Sequence, residues 1–278
     1  MTGEKEKRAC NYKMYDDKPC AKTLYDGEHC IFHSKDIKGK KRDFNNIFWQ
    51  ELARQRDRDE YYDFSGFVFP GEISMGKIEF EKDVYFFDVI FSGHAVFLST
   101  RFSGKAAFER SRFIRRASFE RVQFTGEAAF GSAQFCGEAA FRGVQFTGEA
   151  GFRDAQFLGE AAFGGAQFFG EAAFGGAQFS GEAGFRNVKF SEKAFFRDVK
   201  FLGDVYFVKS QFSGDASFRD AQFIEKSYFS GAQFYEEANF AGTRFSKKVY
   251  FDSVKFSKNA NFENIKYKKI IGIDIPPD

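Results

Sequence analysis

Large apolar residues return every eleven positions along most of this chain. One series starts at Phe64 and runs through Met75, Phe86 and Phe97 in steps of eleven to Phe262. A second starts at Phe69 and runs through Phe80 and Phe91 to Tyr267. Each series has 19 members, all Phe save Met75 and Tyr267, so 36 of the 43 Phe residues keep one register without insertion or deletion. A period held that strictly predicts one continuous repeat structure in place of an irregular globule.

A second rule refines the first. From Val84 to Ala260 the residue two places before each register aromatic is Ala, Val, Ser or Thr, as at Ala161, Ala166, Ala172 and Ala177. Side chains two apart share one face of an extended strand, so each short segment points a small residue and a Phe at the same interior. Register positions alternate between five and six residues apart, which leaves room only for brief strands and corners. An eleven-residue period also suits a helix of about 3.67 residues per turn. Glycine decides against it. Gly164, Gly165 and Gly170 all fall within FGGAQFFG, and each would cost a helix about 1 kcal/mol relative to Ala. At a corner, Gly instead accepts positive φ without strain.

Segments such as AQFFG, VQFTG and AAFRG resemble the pentapeptide-repeat family, in which a small residue precedes a central Leu or Phe by two positions. The Phe-rich variant with alternating five- and six-residue steps is especially similar, over residues 62 to 267. The resemblance implies an all-β solenoid, a right-handed four-sided parallel β-helix of about 22 residues per coil. The register then holds about nine coils, and at about 4.8 Å per stacked strand the rod is on the order of 45 Å long. Terminal repeats are expected to deviate, and Tyr62, Phe67, Ile73, Ile78 and Ile265 break the small-residue rule at the two ends.

Outside the register the chain divides into residues 1–35, a linker and helix over 36–61, and a tail over 268–278. The helix is predicted by Phe44, Ile47, Phe48 and Leu52, which share one face at helical spacing. It is expected to cap the open end of the β-helix, with Trp49 at its rim, because exposed strand edges invite pairing with other chains. In the tail, Ile270, Ile271, Ile273 and Ile275 suggest a last strand or a contact in a homodimer formed through the C-terminal end.

The candidate chemistry lies in front. Cys10 and Cys20 are separated by nine residues, Cys20 and Cys30 by nine, and Cys30 and His33 by two. Three thiolates and one imidazole make a complete tetrahedral set for structural zinc. The stretch resembles short bacterial three-Cys, one-His modules with a GxxC turn before a CxxH end. Two alternatives stay open: His29 in place of His33, or unrelated thiols in a leader. Cys136 occupies a slot shared with Thr125, Thr147 and Leu158 and is read as incidental. His94 reads as a solvated corner residue with no nucleophile in reach by spacing, and the glycines lack the GK[ST] ending of a phosphate loop. A non-enzymatic protein is expected.

Charge gives little direction, since 41 basic and 39 acidic residues leave a net +2. Its distribution says more. Residues 125–188 carry seven acidic and three basic side chains, net −4, with Glu127, Glu138, Glu149, Glu160, Glu171 and Glu182 recurring at one slot. Residues 80–124 net +3 and residues 189–269 net +5. A column of Gln123, Gln134, Gln145, Gln156, Gln167 and Gln178 offers a ladder of stacked amides. Lys189, Lys200, Arg244, Lys255 and Lys266 replace Gln in that column toward the C-terminal end.

The start MTGEKEKRACNYK lacks an apolar signal core, so a cytoplasmic protein of bacterial style, without membrane contact, is expected. Its function reads as that of a scaffold presenting a rigid rod to a protein partner. Two other readings are a DNA-mimicking regulator of gyrase, a type II topoisomerase, since some pentapeptide-repeat proteins resemble duplex DNA in size and charge and bind gyrase, and a nucleic-acid binder led by the zinc module and the KGKKR run at 38–42.

Overall fold

In a computed structural model that describes residues 9–58 and 60–273, the register becomes a parallel β-solenoid. The first coil places four two-residue strands in succession: β1 (Tyr62–Asp63), β2 (Val68–Phe69), β3 (Ile73–Ser74) and β4 (Glu79–Phe80). Each pairs in parallel with the strand 22 residues further on, as Tyr62 with Val84 and Val68 with Ile90. Four columns of strands result, called here the first to fourth faces after β1 to β4. The first face stacks ten strands, one more than the coil count read from the register, and the fourth stacks nine. The second and third merge into an 18-stranded sheet because the strands Arg244–Tyr250 and Lys266–Ile271 run through the corner between them.

The interior follows from the strand spacing. Rings in one column lie one coil apart and stack in parallel, as Phe141 on Phe163 at 4.8 Å and 3°. Rings from the first and third faces meet edge to face across the axis, as Phe130 with Phe141 at 5.5 Å and 90°. Both arrangements suit the aromatic quadrupole. Phe163 and its small partner Ala161 are wholly buried, and each such Phe contributes about 1.5–3 kcal/mol of burial.

Corners are of two kinds. The residue two places after each aromatic of the first and third faces has positive φ, from Gly66 at 68° to Asn264 at 56°. Arg110 and Arg121 hold it at 57° and 55°, at a cost of about 1 kcal/mol each for a side chain with no local compensation. The corresponding slot after the second and fourth faces is Gly in most coils, though Lys82, Arg115, Glu192 and Glu225 also occupy it, and where it is Gly the reason is another one. At Gly170 an added Cβ would lie 2.6 Å from the Gly148 carbonyl oxygen of the coil beneath. Positive φ therefore accounts for Gly165, at 69°, and close coil approach accounts for Gly170.

At the N-terminal end the short helix α1 (Ile37–Lys40) leads into α2 (Phe44–Arg58). Phe44, Phe48 and Leu52 are buried, with the Phe48 ring 5.4 Å from Phe64 and 5.0 Å from Phe69 of the first coil. Ile47 is half-buried, and Trp49 sits at the rim with its ring 5.1 Å from Phe48. The expected capping helix is thus in place. Its polar side does more than face water: Gln55 Oε1 accepts from the Asp63 amide at 2.7 Å, and Gln55 Nε2 donates to the Asp63 carbonyl at 3.0 Å. One side-chain amide so takes the place of a neighbouring strand at the edge of β1. In the tail, Ile270 and Ile271 close the final strand and Ile273 packs on the core, while Ile275 lies outside the described residues. No helix among the described residues is long and apolar enough to cross a membrane.

Candidate metal centre

The N-terminal segment folds because its backbone pairs with itself before it meets the rod. The Cys10 amide donates to the Lys22 carbonyl at 2.8 Å, Ala21 to Cys10 at 2.9 Å, and Cys20 to Tyr12 at 2.8 Å. This hairpin brings Cys10 beside Cys20. A second turn, with Gly27 at φ 90° and Tyr25 bonded to the His29 carbonyl at 2.7 Å, returns the chain to Cys30. The amides of His33 and Ser34 then both donate to the Cys30 carbonyl, at 3.1 and 2.9 Å, which wraps the CIFH end around the third thiol.

The four residues singled out by spacing meet. One ligand atom from each of Cys10, Cys20, Cys30 and His33 lies within 4.8 Å of the others. Cys20 Sγ is 3.7 Å from Cys30 Sγ, and His33 Nδ1 is 3.4 Å from Cys10 Sγ and 3.3 Å from Cys30 Sγ. A tetrahedral zinc with bonds of about 2.3 Å to sulfur and about 2.0 Å to nitrogen has edges of roughly 3.8 Å (S to S) and 3.6 Å (S to N). The donor set fits that ion in type and in size. Hydrogen bonding from Cys20, ahead of the opposing effect of burial, pushes the Cys30 thiol well below its ordinary pKa, so one sulfur is already disposed to be a thiolate.

The imidazole is oriented from the rod. His33 Nε2 is 3.0 Å from the Ser65 carbonyl oxygen; a carbonyl only accepts, so Nε2 carries the proton and the Nδ1 lone pair faces the sulfurs. The Tyr12 ring stacks on the imidazole at 4.1 Å and 13°. Next door, the Phe32 ring stacks on Phe67 at 4.4 Å, and the Phe32 carbonyl accepts from the Val68 amide at 2.7 Å. The module therefore closes the edge of the second face as α2 closes that of the first. His29 stays outside the cluster: its amide donates to Asp26 Oδ1 at 2.7 Å and its carbonyl is held by Tyr25.

Spacing missed one cation. Lys40 is buried, and its ammonium donates to the carbonyls of Ser34 at 2.6 Å and Ile31 at 3.0 Å. Burial lowers its pKa to about 8. Three thiolates around a divalent ion would leave one net negative charge, which the Lys40 ammonium, interacting electrostatically with Cys30, would partly offset. It is also the middle of the KGKKR run, so that run presents fewer exposed charges than the sequence shows.

A model of the family described as pentapeptide repeats (9 copies) matches residues 108–156, 141–189, 185–227 and 229–266. The chain belongs to the pentapeptide-repeat family. No curated protein and no solved structure matches it. The fold is that of a family of non-catalytic interaction scaffolds, which directs attention to the surfaces of this pentapeptide-repeat rod.

The acidic ladder is partly cross-linked. Arg142 reaches Glu138 and Glu160 at 3.1 Å and Glu120 at 3.3 Å, and Arg116 reaches Glu120 at 3.3 Å. Such exposed pairs contribute little individually, but they interrupt the anionic surface that a DNA mimic would present. The Gln side chains line up coil on coil, as Gln145 on Gln167, yet among the described residues their amides make no hydrogen bonds to one another; Gln123, Gln145 and Gln156 are exposed and Gln134, Gln167 and Gln178 half-buried. His94 is exposed at its corner, and Cys136 is a half-buried free thiol.

Proposed function

We propose that this pentapeptide-repeat protein is a non-catalytic scaffold whose rod offers rigid faces to a protein partner, with Cys10, Cys20, Cys30 and His33 holding a structural zinc. The observation that carries the reading is the junction between module and rod. His33 is bonded to Ser65 and Phe32 to Val68, so the metal ligands and the first coil form one rigid construction that closes the solenoid and keeps it a discrete, soluble surface. When bound, zinc supplies cross-linking and charge and no reaction.

Metal analysis of the purified full chain tests the zinc, with about one zinc per chain expected and none after Cys30→Ser. Affinity capture followed by cross-linking mass spectrometry tests the scaffold: cross-links from an identified protein to rod residues support it, and cross-links confined to residues 9–35 would move the function to the module. A homodimer through the C-terminal end is part of the proposal, supported by the partly exposed Phe256, Phe262 and Ile271 of the last coil. Sedimentation of the Phe262→Glu variant as a monomer, against a dimeric parent, is the expected outcome.

A further inference from the structure

The eleven-residue rule sets the local fold and is blind to which side of the rod a residue faces. A pattern of 22 residues is therefore a property of one side. The slot immediately after the aromatics of the second face holds Ile114, Cys136, Leu158, Ser180, Leu202 and Ile224 in successive coils. The equivalent slot after the fourth face holds Ser103, Thr125, Thr147, Phe169, Ser191, Ser213 and Tyr235. Strand geometry is the same at both, so packing does not explain the difference. Leu158, Leu202 and Ile224 are 48%, 38% and 37% exposed. One edge of the rod is an apolar ridge, and the opposite edge is mainly hydroxyl-bearing.

The ridge has a defined neighbourhood. Gly137, Gly159, Gly181 and Gly203 follow Cys136, Leu158, Ser180 and Leu202 and stack backbone on backbone, leaving a shelf without side chains that Arg115 and Glu225 bound at its two ends. Beyond the shelf stand Glu138, Glu160, Glu182 and Asp204. Arg142 engages the first two, while Glu182 and Asp204 have no Lys or Arg side-chain partner among the described residues. Ser180 leaves a gap between Leu158 and Leu202, which lie two coils, about 10 Å, apart.

We propose that this edge, the ridge with its glycine shelf and acidic column, is the docking surface of the scaffold, and that its occupant is an amphipathic helix of another protein with Lys or Arg along one flank. The inference rests on the scaffold reading and names the face. Two matches carry it. The exposed carboxylates call for a cationic flank beside an apolar stripe. A helix presents side chains along one face about every 5.4 Å, close to the coil repeat of about 4.8 Å, so Leu158 to Ile224 spans a little under three helical turns and the Ser180 gap receives one large apolar side chain.

The test is fluorescence anisotropy on the full chain, with a labelled leucine–lysine peptide of about four helical turns and a peptide of the same composition whose leucines do not align. Tighter binding of the aligned peptide by about tenfold is expected. Leu158→Glu with Leu202→Glu should weaken it at least about tenfold, and filling the gap with Ser180→Phe should also weaken it. Phe169→Glu on the opposite edge should leave it unchanged. All these positions are at the surface, and unchanged thermal melts establish that each variant folds. Equal binding of both peptides, or an unaffected ridge variant, overturns the proposal. Loss of binding only with Phe169→Glu overturns the ridge and leaves the scaffold reading intact, whereas binding that cross-links solely to residues 9–35 overturns both. If the ridge variant instead dissolves a dimer of the parent chain, the occupant is a second copy and the helix is wrong.

Discussion

The two ends of the solenoid meet the same problem, an open coil with unpaired strand edges, in different ways. At the N-terminal end the closure comes from residues outside the register. Helix α2 lays Phe44 and Phe48 on the first coil, Gln55 pairs the backbone of Asp63, and the module presents the Phe32 carbonyl to Val68. At the C-terminal end the closure uses the repeat itself. The strands lengthen to Arg244–Tyr250 and Lys266–Ile271, with Lys268 and Lys269 exposed on the outermost strand. Phe262 is only half-buried there, against complete burial of Phe163 in the middle. A stack of identical coils supplies its own interior but not its own ends, so an end is either built from foreign sequence or left partly open.

One substitution made in two places gives the largest separation. Phe163→Asp puts an unpaired carboxylate among stacked rings, and the lost burial and cavity alone amount to about 3–5 kcal/mol, with the buried charge adding to that. Phe262→Asp in the terminal coil should lower the stability of the single chain by about 1–2 kcal/mol, since its ring is only half-buried within the chain. Paired chemical denaturation curves measure both. Equal losses would mean that the C-terminal coil is closed as tightly as the middle.

Removing the proposed zinc sharpens the contrast next. Chelation would remove the ion that ties the hairpin to the CIFH turn, and Cys30→Ser would remove one of its four donors. Hydrogen exchange should then rise about tenfold or more at Val68 and Ser65 and stay unchanged at residues 150–170, because a solenoid is stabilised chiefly between neighbouring coils. Uniform loosening along the rod would show that the module contributes to the whole stack and not to its end.

Within α2 the polar contacts are expected to matter less than the metal and more than any surface charge. Gln55→Ala leaves the Asp63 amide and carbonyl without the edge partner they have now, a loss of about 1–3 kcal/mol by thermal melting. The buried Glu51 beside it gives a pH signature. Burial alone would raise its pKa, but bonds from Arg54, Lys22 and Gln55 outweigh that and hold it below its ordinary 4.5. A depressed carboxyl stabilises the fold above its unfolded pKa, and that contribution is lost as pH falls through the folded value. Glu51→Gln should therefore flatten the acid limb of the stability profile below about pH 4.5.

How much of this could be read from residues depends on whether the contact is periodic. The inward Phe columns and the small residues beside them follow one rule, and the helix stripe of Phe44, Phe48 and Leu52 follows another, so both were visible in sequence. The cluster of Cys10, Cys20, Cys30 and His33 was visible because few residue types can ligate a metal. Lys40, the Ser65 carbonyl and Gln55 carry no such mark. Each acts through a partner with no fixed sequence offset, and all three contacts involve main-chain groups that every residue possesses. The positive-φ corners lay between these cases: Gly, Asn and Asp fill many of them at steps of eleven, but Lys77, Arg110, Arg121 and Lys209 hide the pattern. The Gln column shows the opposite failure, a visible period whose amides turn outward instead of bonding.

The smallest effect is expected where the sequence looks most insistent. Glu160 belongs to the regular acidic column and accepts from Arg142 at 3.1 Å, but both side chains are about half exposed, at 50% and 45%. Solvent and salt screen such a pair to about 0–1 kcal/mol, and Arg142 keeps Glu138 and Glu120 when Glu160 is gone. Glu160→Gln should accordingly leave the melting temperature of the rod within a degree or two of the parent, while Phe163, three residues away in sequence and facing the other direction, decides whether the middle of the rod forms at all. A melting point that falls by several degrees in Glu160→Gln would show that the acidic column binds coil to coil, and the distinction between a self-sufficient middle and assisted ends would have to be redrawn around the surface ladders instead of the aromatic core.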